Sequence, residues 1–132
     1  MTRLGARSLG WSAALALVIA ACSAPAAWTG PPPTAPPGGV LIVAQALAFD
    51  RTRLAVPAGV PFEFLVASYD AAPHNVTILD DGGRPVFVGE TFGGPGSRTY
   101  SVPPIAAGRY RFRCDVHTYM TGTVDASPSV AQ

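Results

Sequence analysis

From residue 40 onward, the chain is a series of short apolar or alternating segments interrupted by glycine and proline, and this pattern restricts the possible folds. In residues 61–68, Phe62, Phe64 and Val66 occupy every second position, which is the period of a β-strand. The sequence contains 14 Gly and 14 Pro, which break helices and mark turns. No long stretch has the period of a helix. The pattern therefore predicts an all-β protein.

Eight segments of this part of the chain have strand-like patterns, at residues 40–49, 54–56, 61–68, 74–79, 85–89, 97–102, 108–114 and 121–126. Turn-forming residues separate them, as in the Asp-Asp-Gly-Gly run at 80–83. Short strands at such spacing predict a β-sandwich or a small barrel. We expect one domain, residues 40–132, because a chain of 132 residues is too short for two.

Residues 1–21 have the features of a signal peptide. Arg3 and Arg7 supply a positive start, and residues 9–20 are mostly apolar, although this run is shorter than the 20 or so residues of a membrane-spanning helix. The sequence Ile-Ala-Ala-Cys that ends at Cys22 resembles the lipobox of bacterial lipoproteins, in which the cysteine is lipidated and the signal is cut before it. We predict lipidation of Cys22. An ordinary cleaved signal with a chance cysteine is the alternative, and both imply export.

Residues 22–39 form a predicted lipid-anchored, proline-rich linker. Positions 23–39 contain six prolines and few side chains that could be buried. Such a segment favours the polyproline conformation, at about 3.1 Å per residue, so it would act as a semi-rigid spacer between the membrane and the domain. A disordered tail is the alternative. Both give the same domain boundary, near Gly39.

The charge pattern argues against nucleic-acid binding. All nine basic residues are Arg, and without residues 1–21 the chain has seven Arg against eight acidic residues. Nucleic-acid binding requires a concentrated basic patch, which this sequence lacks. Arg109, Arg111 and Arg113 alternate and would share one strand face, either as a solvated surface or as a contact for an anionic partner. We expect a monomer attached to the membrane through its N-terminal lipid.

Four side chains with soft or borderline donor atoms are concentrated in the mature chain. Cys114, His117 and Met120 lie within one short segment, and His74 begins a predicted strand earlier in the chain. After loss of the signal peptide, these are both histidines, the one methionine, and the one cysteine besides Cys22. A lone thiol outside the cytoplasm is a liability unless something occupies it, and a metal would. The concentration of donors predicts a metal site.

The donor set favours one copper ion. Sulfur ligands suit Cu(I) and imidazole suits Cu(II), so a trigonal site with a weak axial Met changes little when an electron enters or leaves. Zinc sites use Cys, His and carboxylate ligands, so Met120 argues against zinc. A Cys–His nucleophile pair would need a third, orienting residue, and none is evident. The copper hypothesis requires residues 114–120 to curve as a loop between two strands, with His74 supplied by an adjoining strand.

Residues 40–126 resemble the cupredoxins, the blue copper proteins that include plastocyanin, azurin, pseudoazurin and amicyanin. The resemblance rests on three features: His74-Asn75 at the head of a strand, the strand GRYRFRC that ends at Cys114, and the spacing Cys-x-x-His-x-x-Met, which is as short as that of amicyanin. It implies a Greek-key β-sandwich of the cupredoxin-like type, with the metal at one end.

The same resemblance implies roles around the metal. The equatorial ligands would be His74, Cys114 and His117, and the axial ligand would be Met120. Asn75 would support these ligands without binding the metal, with its backbone amide donating toward the cysteine sulfur and its side chain bracing the loop. His117 would be the partly exposed ligand through which electrons pass.

The function predicted is that of a type 1 (blue) copper protein, which carries single electrons between redox partners in the periplasm or elsewhere outside the cytoplasmic membrane. Its partners would be a cytochrome, an oxidase or another copper enzyme. Copper storage or delivery in the cell envelope is an alternative that uses the same ligands, and a surface module without copper is a third hypothesis. Enzymatic activity is not expected, because four protein ligands leave no position for a substrate.

The loop also departs from the family pattern. Asp115 and Val116 occupy the positions where several relatives have a proline before the histidine. We therefore expect looser hydrogen bonding around the sulfur of Cys114 than in these relatives.

Overall fold

The computed structural model describes residues 28–128, in which nine strands are formed. The strands are β1 (Val40–Gln45), β2 (Ala48–Phe49), β3 (Arg53–Pro57), β4 (Phe62–Ser68), β5 (Thr77–Leu79), β6 (Pro85–Val88), β7 (Gly96–Val102), β8 (Gly108–Arg113) and β9 (Thr121–Ser127). No helix occurs between residues 28 and 128, and so none there has the length and apolar character to cross a membrane. The predicted signal peptide, Cys22 with its predicted lipid, and residues 129–132 lie outside the described residues.

The strands pair into two mixed sheets. The first has the order β2-β1-β4-β7 and the second has the order β3-β9-β8-β5-β6. The pairs β1–β4 and β3–β9 are parallel, whereas every other pair is antiparallel. The predicted all-β sandwich is therefore confirmed.

Side chains from both sheets fill the space between them. Phe64 and Val66 of β4 are fully buried, whereas neighbouring Glu63 is exposed, as the alternation of the sequence predicts. Phe112 of β8 and Val124 of β9 belong to the same buried cluster and come from the second sheet. Complete burial of one such side chain stabilises the fold by about 1.5–3 kcal/mol.

Two strands are shorter than their sequence patterns predict. The segment 40–49 is interrupted at Ala46 and Leu47, whose φ angles of 53° and 57° turn β1 back into β2. Consecutive left-handed residues are typical of tight hairpin turns. The predicted strand that begins at His74 pairs regularly only in β5, because His74 instead forms an isolated bridge with Phe92 through two hydrogen bonds of 3.0 Å.

The described part of the predicted linker contacts the domain. Trp28 lies edge-on to Tyr69, with their ring centroids 5.9 Å apart. At the other end of the segment, Gly39 donates its N–H to the carbonyl oxygen of Pro36 over 2.9 Å, immediately before β1 begins. The segment thus contacts the domain at Trp28, which the sequence pattern did not predict.

Gly122 in β9 allows close packing, and its replacement tests the fold. A Cβ atom there would lie 2.5 Å from the Phe112 ring and from the Thr52 carbonyl oxygen. We predict that Gly122→Ala lowers the free energy of unfolding by about 1–3 kcal/mol, as overpacking does. Urea unfolding measures the change. Gly93→Ala is the control, since a Cβ there meets nothing within 4 Å; equal losses in the two variants would contradict the prediction.

Candidate metal centre

The loop between β8 and β9 is closed by its own backbone. The N–H of Cys114 donates to the carbonyl oxygen of Met120 over 2.9 Å, and the N–H of Met120 donates to the carbonyl oxygen of His117 over 2.8 Å. The loop begins and ends beside the antiparallel pair formed by Arg113 and Thr121. These contacts bring both ends of the loop together where the neighbouring strands β8 and β9 end and begin.

His74 reaches this loop because β5 pairs with β8. Thr77 lies opposite Arg113 in that antiparallel pair. Continuing the register beyond the last pair brings the residues just before Thr77 beside those just after Arg113. His74 and Cys114, both fully buried, thus meet although they are forty positions apart in the sequence.

Three donor atoms converge at this point. The Nδ1 atoms of His74 and His117 each lie 3.9 Å from the sulfur of Cys114. The two imidazole rings are 4.9 Å apart, measured between centroids. All three donors lie within 4.8 Å of one another. The histidines and the cysteine predicted from the sequence therefore form one cluster.

Met120 completes the set. Its side chain is 3% exposed and packs with Cys114 and Ala44 in a small buried cluster of their own. Cys114 forms no disulfide with another described residue. The structure therefore brings together all four side chains that the sequence analysis predicted as ligands.

The separations fit a single metal ion. Bonds of about 2.3 Å from a metal to thiolate and about 2.0 Å from a metal to imidazole, the zinc values, allow one ion to bind a sulfur and a nitrogen up to about 4.3 Å apart. Both sulfur–nitrogen distances, 3.9 Å, are within that limit. A set of two imidazoles, one thiolate and a thioether is the soft, trigonal set that copper prefers.

Asn75 and Asp115 lock the loop to the sheet. The Asn75 side chain donates to the Gly89 carbonyl oxygen and to the Asp115 carboxylate, each over 2.9 Å, and accepts the Asp115 N–H over 2.7 Å. The loop-bracing contacts expected of Asn75 are thus formed. Among the hydrogen bonds of the described residues, none joins the Asn75 backbone amide to the Cys114 sulfur, so that part of the expectation is not met.

The carboxylate of Asp115 is held ionised beside the cysteine ligand. Partial burial would raise the pKa of Asp115, but hydrogen bonds from Thr77, Asn75 and Arg113 outweigh it and lower this pKa below its ordinary value. Thr77 donates over 2.6 Å, and the Arg113 guanidinium over 3.0 Å. The side chain of Asp115 is therefore fully paired within the loop and the sheet.

Asp70 links the metal ligand His74 to the turn between β1 and β2. Its carboxylate accepts the N–H groups of Ala46 and Leu47, over 2.7 and 3.0 Å, and also lies 3.1 Å from Nε2 of His74. The two left-handed residues of the β1–β2 turn are thus anchored by the group that orients a metal ligand. Burial lowers the pKa of His74, and Asp70 opposes that shift. A neutral imidazole is the form that binds metal, with Nδ1 facing the sulfur.

Sequence reasoning missed Asp70 and Thr77, and it noted Asp115 only as a departure from the family. Asp70 lies four residues before His74, separated from it by Ala71-Ala72-Pro73, and a carboxylate at that spacing is the one signal that could have indicated a contact. Thr77 is an ordinary strand residue by sequence. Its role appears only when β5 is paired with β8.

His117 is the ligand nearest to solvent. It is half-buried, whereas the other three ligands are buried. Val116 and Tyr119, on either side of it in the loop, are 45% and 65% exposed, and the Tyr119 ring lies 6.1 Å from the His117 ring. Leu47 of the β1–β2 turn adds a further exposed apolar side chain near Tyr119. The exposed side chains at this end of the molecule therefore include three that are apolar or aromatic.

The family model described as "Cupredoxin-like domain" matches residues 12–125, most of the chain. The chain belongs to the cupredoxin family. His74, Cys114, His117 and Met120 form the single copper site of this cupredoxin, and the predicted family and cofactor are confirmed. A search of curated proteins finds no match.

Solved structures share the fold of this cupredoxin. The dithionite-reduced auracyanin of Roseiflexus castenholzii is 21% identical, with a TM-score of 0.58 over 72% of this chain and 100% of that one. Auracyanin A of Chloroflexus aurantiacus, described as a "blue" copper protein, is 18% identical, with a TM-score of 0.59 over 67% of this chain and 98% of that one. A reduced amicyanin variant is 23% identical, with a TM-score of 0.53 over 68% and 83% of the two chains. At these identities the likeness establishes the fold.

Asp70 provides a test of how the protein controls the copper. We predict that Asp70→Asn raises the reduction potential, because the negative charge beside His74 favours Cu(II) over Cu(I). A tenfold change in the redox equilibrium, which is about 59 mV for one electron, is the expected order of magnitude. Spectroelectrochemical titration of the blue absorption measures it.

Asp50→Asn is the matched control for this change. Asp50 also accepts a backbone N–H, that of Val43 over 2.8 Å. Replacing Asp50 by Asn removes one negative charge beside the first sheet, as Asp70→Asn does. Its carboxylate forms no hydrogen bond with a copper ligand among the described residues. Equal shifts in the two variants would show that the contact with His74 has no special effect.

Proposed function

We propose that this cupredoxin carries single electrons between redox partner proteins outside the cytoplasmic membrane. The observation that carries the proposal is the geometry of the site: four donors of mixed character are fixed by the protein itself, and one of them, His117, reaches toward the surface. Copper supplies the Cu(I)/Cu(II) couple when it is bound.

The protein keeps the four metal-ligating side chains in fixed positions. Asp70 orients His74, the loop hydrogen bonds position Cys114, and Asn75 with Asp115 ties the loop to the sheet. A site that keeps its geometry in both oxidation states needs little reorganisation when an electron arrives or leaves. Rigid supporting contacts are how proteins achieve such preorganisation.

Electrons are proposed to pass through His117. It is the most exposed of the four ligands, and Val116, Tyr119 and Leu47 place exposed apolar or aromatic side chains at the same end of the molecule. A small apolar surface suits brief docking, as in weak redox encounters. The partners proposed are a cytochrome, an oxidase or another copper enzyme. The cupredoxin itself is proposed to be a carrier and not an enzyme, because the four-ligand site offers no position for a substrate.

Copper titration tests the proposal on residues 22–132 carrying Cys22→Ser. Addition of Cu(II) is expected to produce an intense blue absorption from thiolate-to-copper charge transfer. Cys114→Ser should abolish the colour, because it removes the thiolate, whereas Met120→Gln should keep the colour and shift the potential. Visible spectroscopy and potentiometry provide the measurements. An equally blue Cys114→Ser variant would show that the ligand assignment is wrong.

Redox cycling separates electron transfer from copper delivery. A carrier is expected to retain its copper through repeated reduction and oxidation in the presence of a competing Cu(I) chelator. Loss of copper to the chelator during the reduced phase would instead favour storage or delivery. The bound metal can be counted after each cycle from the recovered blue absorption.

We also propose that the chain is exported and held on a membrane through a lipid on Cys22. The support is the positive start, the short apolar run and the Ile-Ala-Ala-Cys motif. In the native host, the full chain should fractionate with membranes, and Cys22→Ala should release the mature domain or leave it unprocessed. Immunoblotting of membrane and soluble fractions, with blue absorption as evidence of folding, distinguishes these outcomes. Equal membrane fractionation of the two chains, with both cut to the mature length, would contradict the anchor.

A further inference from the structure

Residues 28–39, here called the strap, show a repeating pattern of burial against the domain. Pro33, Pro36 and Gly39 are half-buried, and the residues between them are exposed. A period of three residues is that of a polyproline II helix, and burial of every third residue indicates that one edge of the strap faces the domain. The prolines thus give the strap a fixed contacting edge.

One end of the strap lies at the end of the sandwich away from the copper site. A Cβ atom on Gly39 would overlap the carbonyl oxygen of Glu63 and the ring of Pro36, so the backbone passes close to the start of β4. The opposite end of β4 is Ser68, which pairs with Ala44. Ala44 packs against Cys114 and therefore marks the copper end.

The other end of the strap lies at the copper end. Trp28 contacts Tyr69, whose N–H donates to the Ala44 carbonyl oxygen over 2.9 Å. The residue after Tyr69 is Asp70, which contacts the ligand His74. The Trp28 indole N–H donates to the Pro31 carbonyl oxygen over 3.1 Å, which fixes the first turn of the strap. The strap therefore spans the molecule from the copper end to the far end, antiparallel to β1.

We propose that the strap makes the chain leave the domain at its copper end, so that the membrane anchor holds the copper site toward the membrane. This inference rests on the proposed lipid at Cys22. Six peptide steps separate Cys22 from Trp28, and they can span at most about 22 Å. The partner is accordingly a redox protein embedded in the membrane or bound to its surface, which meets His117 from that side.

Without the strap contacts, the same linker would not set an orientation. From Cys22 to Val40 are eighteen steps, which reach about 56 Å in polyproline conformation. A domain on a tether of that length could turn its copper end in any direction. The contact between Trp28 and Tyr69 therefore determines whether the copper end has a fixed orientation.

The position of the strap is tested first, in the soluble chain of residues 22–132 with Cys22→Ser. Trp28 is its one tryptophan, since Trp11 belongs to the predicted signal peptide. Energy transfer to the blue copper band falls steeply with distance, so Cu(II) should quench Trp28 emission several-fold more than that of a tryptophan placed at the far end. Trp28→Phe combined with Pro37→Trp supplies the far-end reporter. Equal quenching at both positions would overturn the proposal.

Orientation is tested with the full lipidated chain on vesicles whose lipid headgroups carry a one-electron reductant. One electron passes from the reductant to Cu(II), giving Cu(I), and the loss of blue colour reports the rate. Trp28→Ala should slow this reduction several-fold, while reduction by the same reagent free in solution should be unchanged. Arg53→Ala, an exposed change outside the strap, is the control and should behave as the unaltered chain in both assays.

The outcomes separate the orientation from the function on which it rests. Equal rates for Trp28→Ala and the unaltered chain on vesicles would overturn the orientation and leave the electron carrier intact. A chain that is blue but not retained on vesicles would overturn the anchor and the orientation together. A chain that never becomes blue would overturn the proposed function itself. In such a chain, protection of Trp28 fluorescence from a soluble quencher would still show whether the strap is in place.

Discussion

The hydrogen bond from the Cys114 N–H to the Met120 carbonyl oxygen is the contact on which the copper site depends. It closes the loop at the place where β8 and β9 separate, and so it fixes the distance between the two sulfur ligands. Without this bond, the loop would sample many backbone conformations. His117, which lies between the two sulfur ligands in the sequence, would then have no fixed position.

The second requirement is that His74 be brought to the same point, and the sheet provides it. Pairing of β5 with β8 aligns the residues before Thr77 with those after Arg113. The same alignment places Asn75 beside Asp115, so the ligand and the group that braces the loop arrive together. Rigid strands thus supply the precision that a loop by itself lacks.

Much of this could be predicted from the sequence, because the donors are scarce and their side chains are chemically distinctive. The all-β architecture followed from alternation in segments such as β4. The break at Ala46 and Leu47 could not be predicted, since neither residue type favours left-handed backbone and the anchoring group, Asp70, lies far away in sequence. Similarly, the contact of the strap with Tyr69 could not be predicted, because it depends on the folded surface.

The anchoring of the β1–β2 turn has a consequence for how this protein can vary. Surface turns ordinarily tolerate added or deleted residues, because nothing in the interior depends on their length. Here the two N–H groups of the turn and the imidazole of His74 share one carboxylate, that of Asp70. An insertion between Gln45 and Ala48 would pull that carboxylate away from the imidazole and tilt a ligand from its position. The length of this exposed turn is thereby restricted by the position that a buried metal ligand must keep.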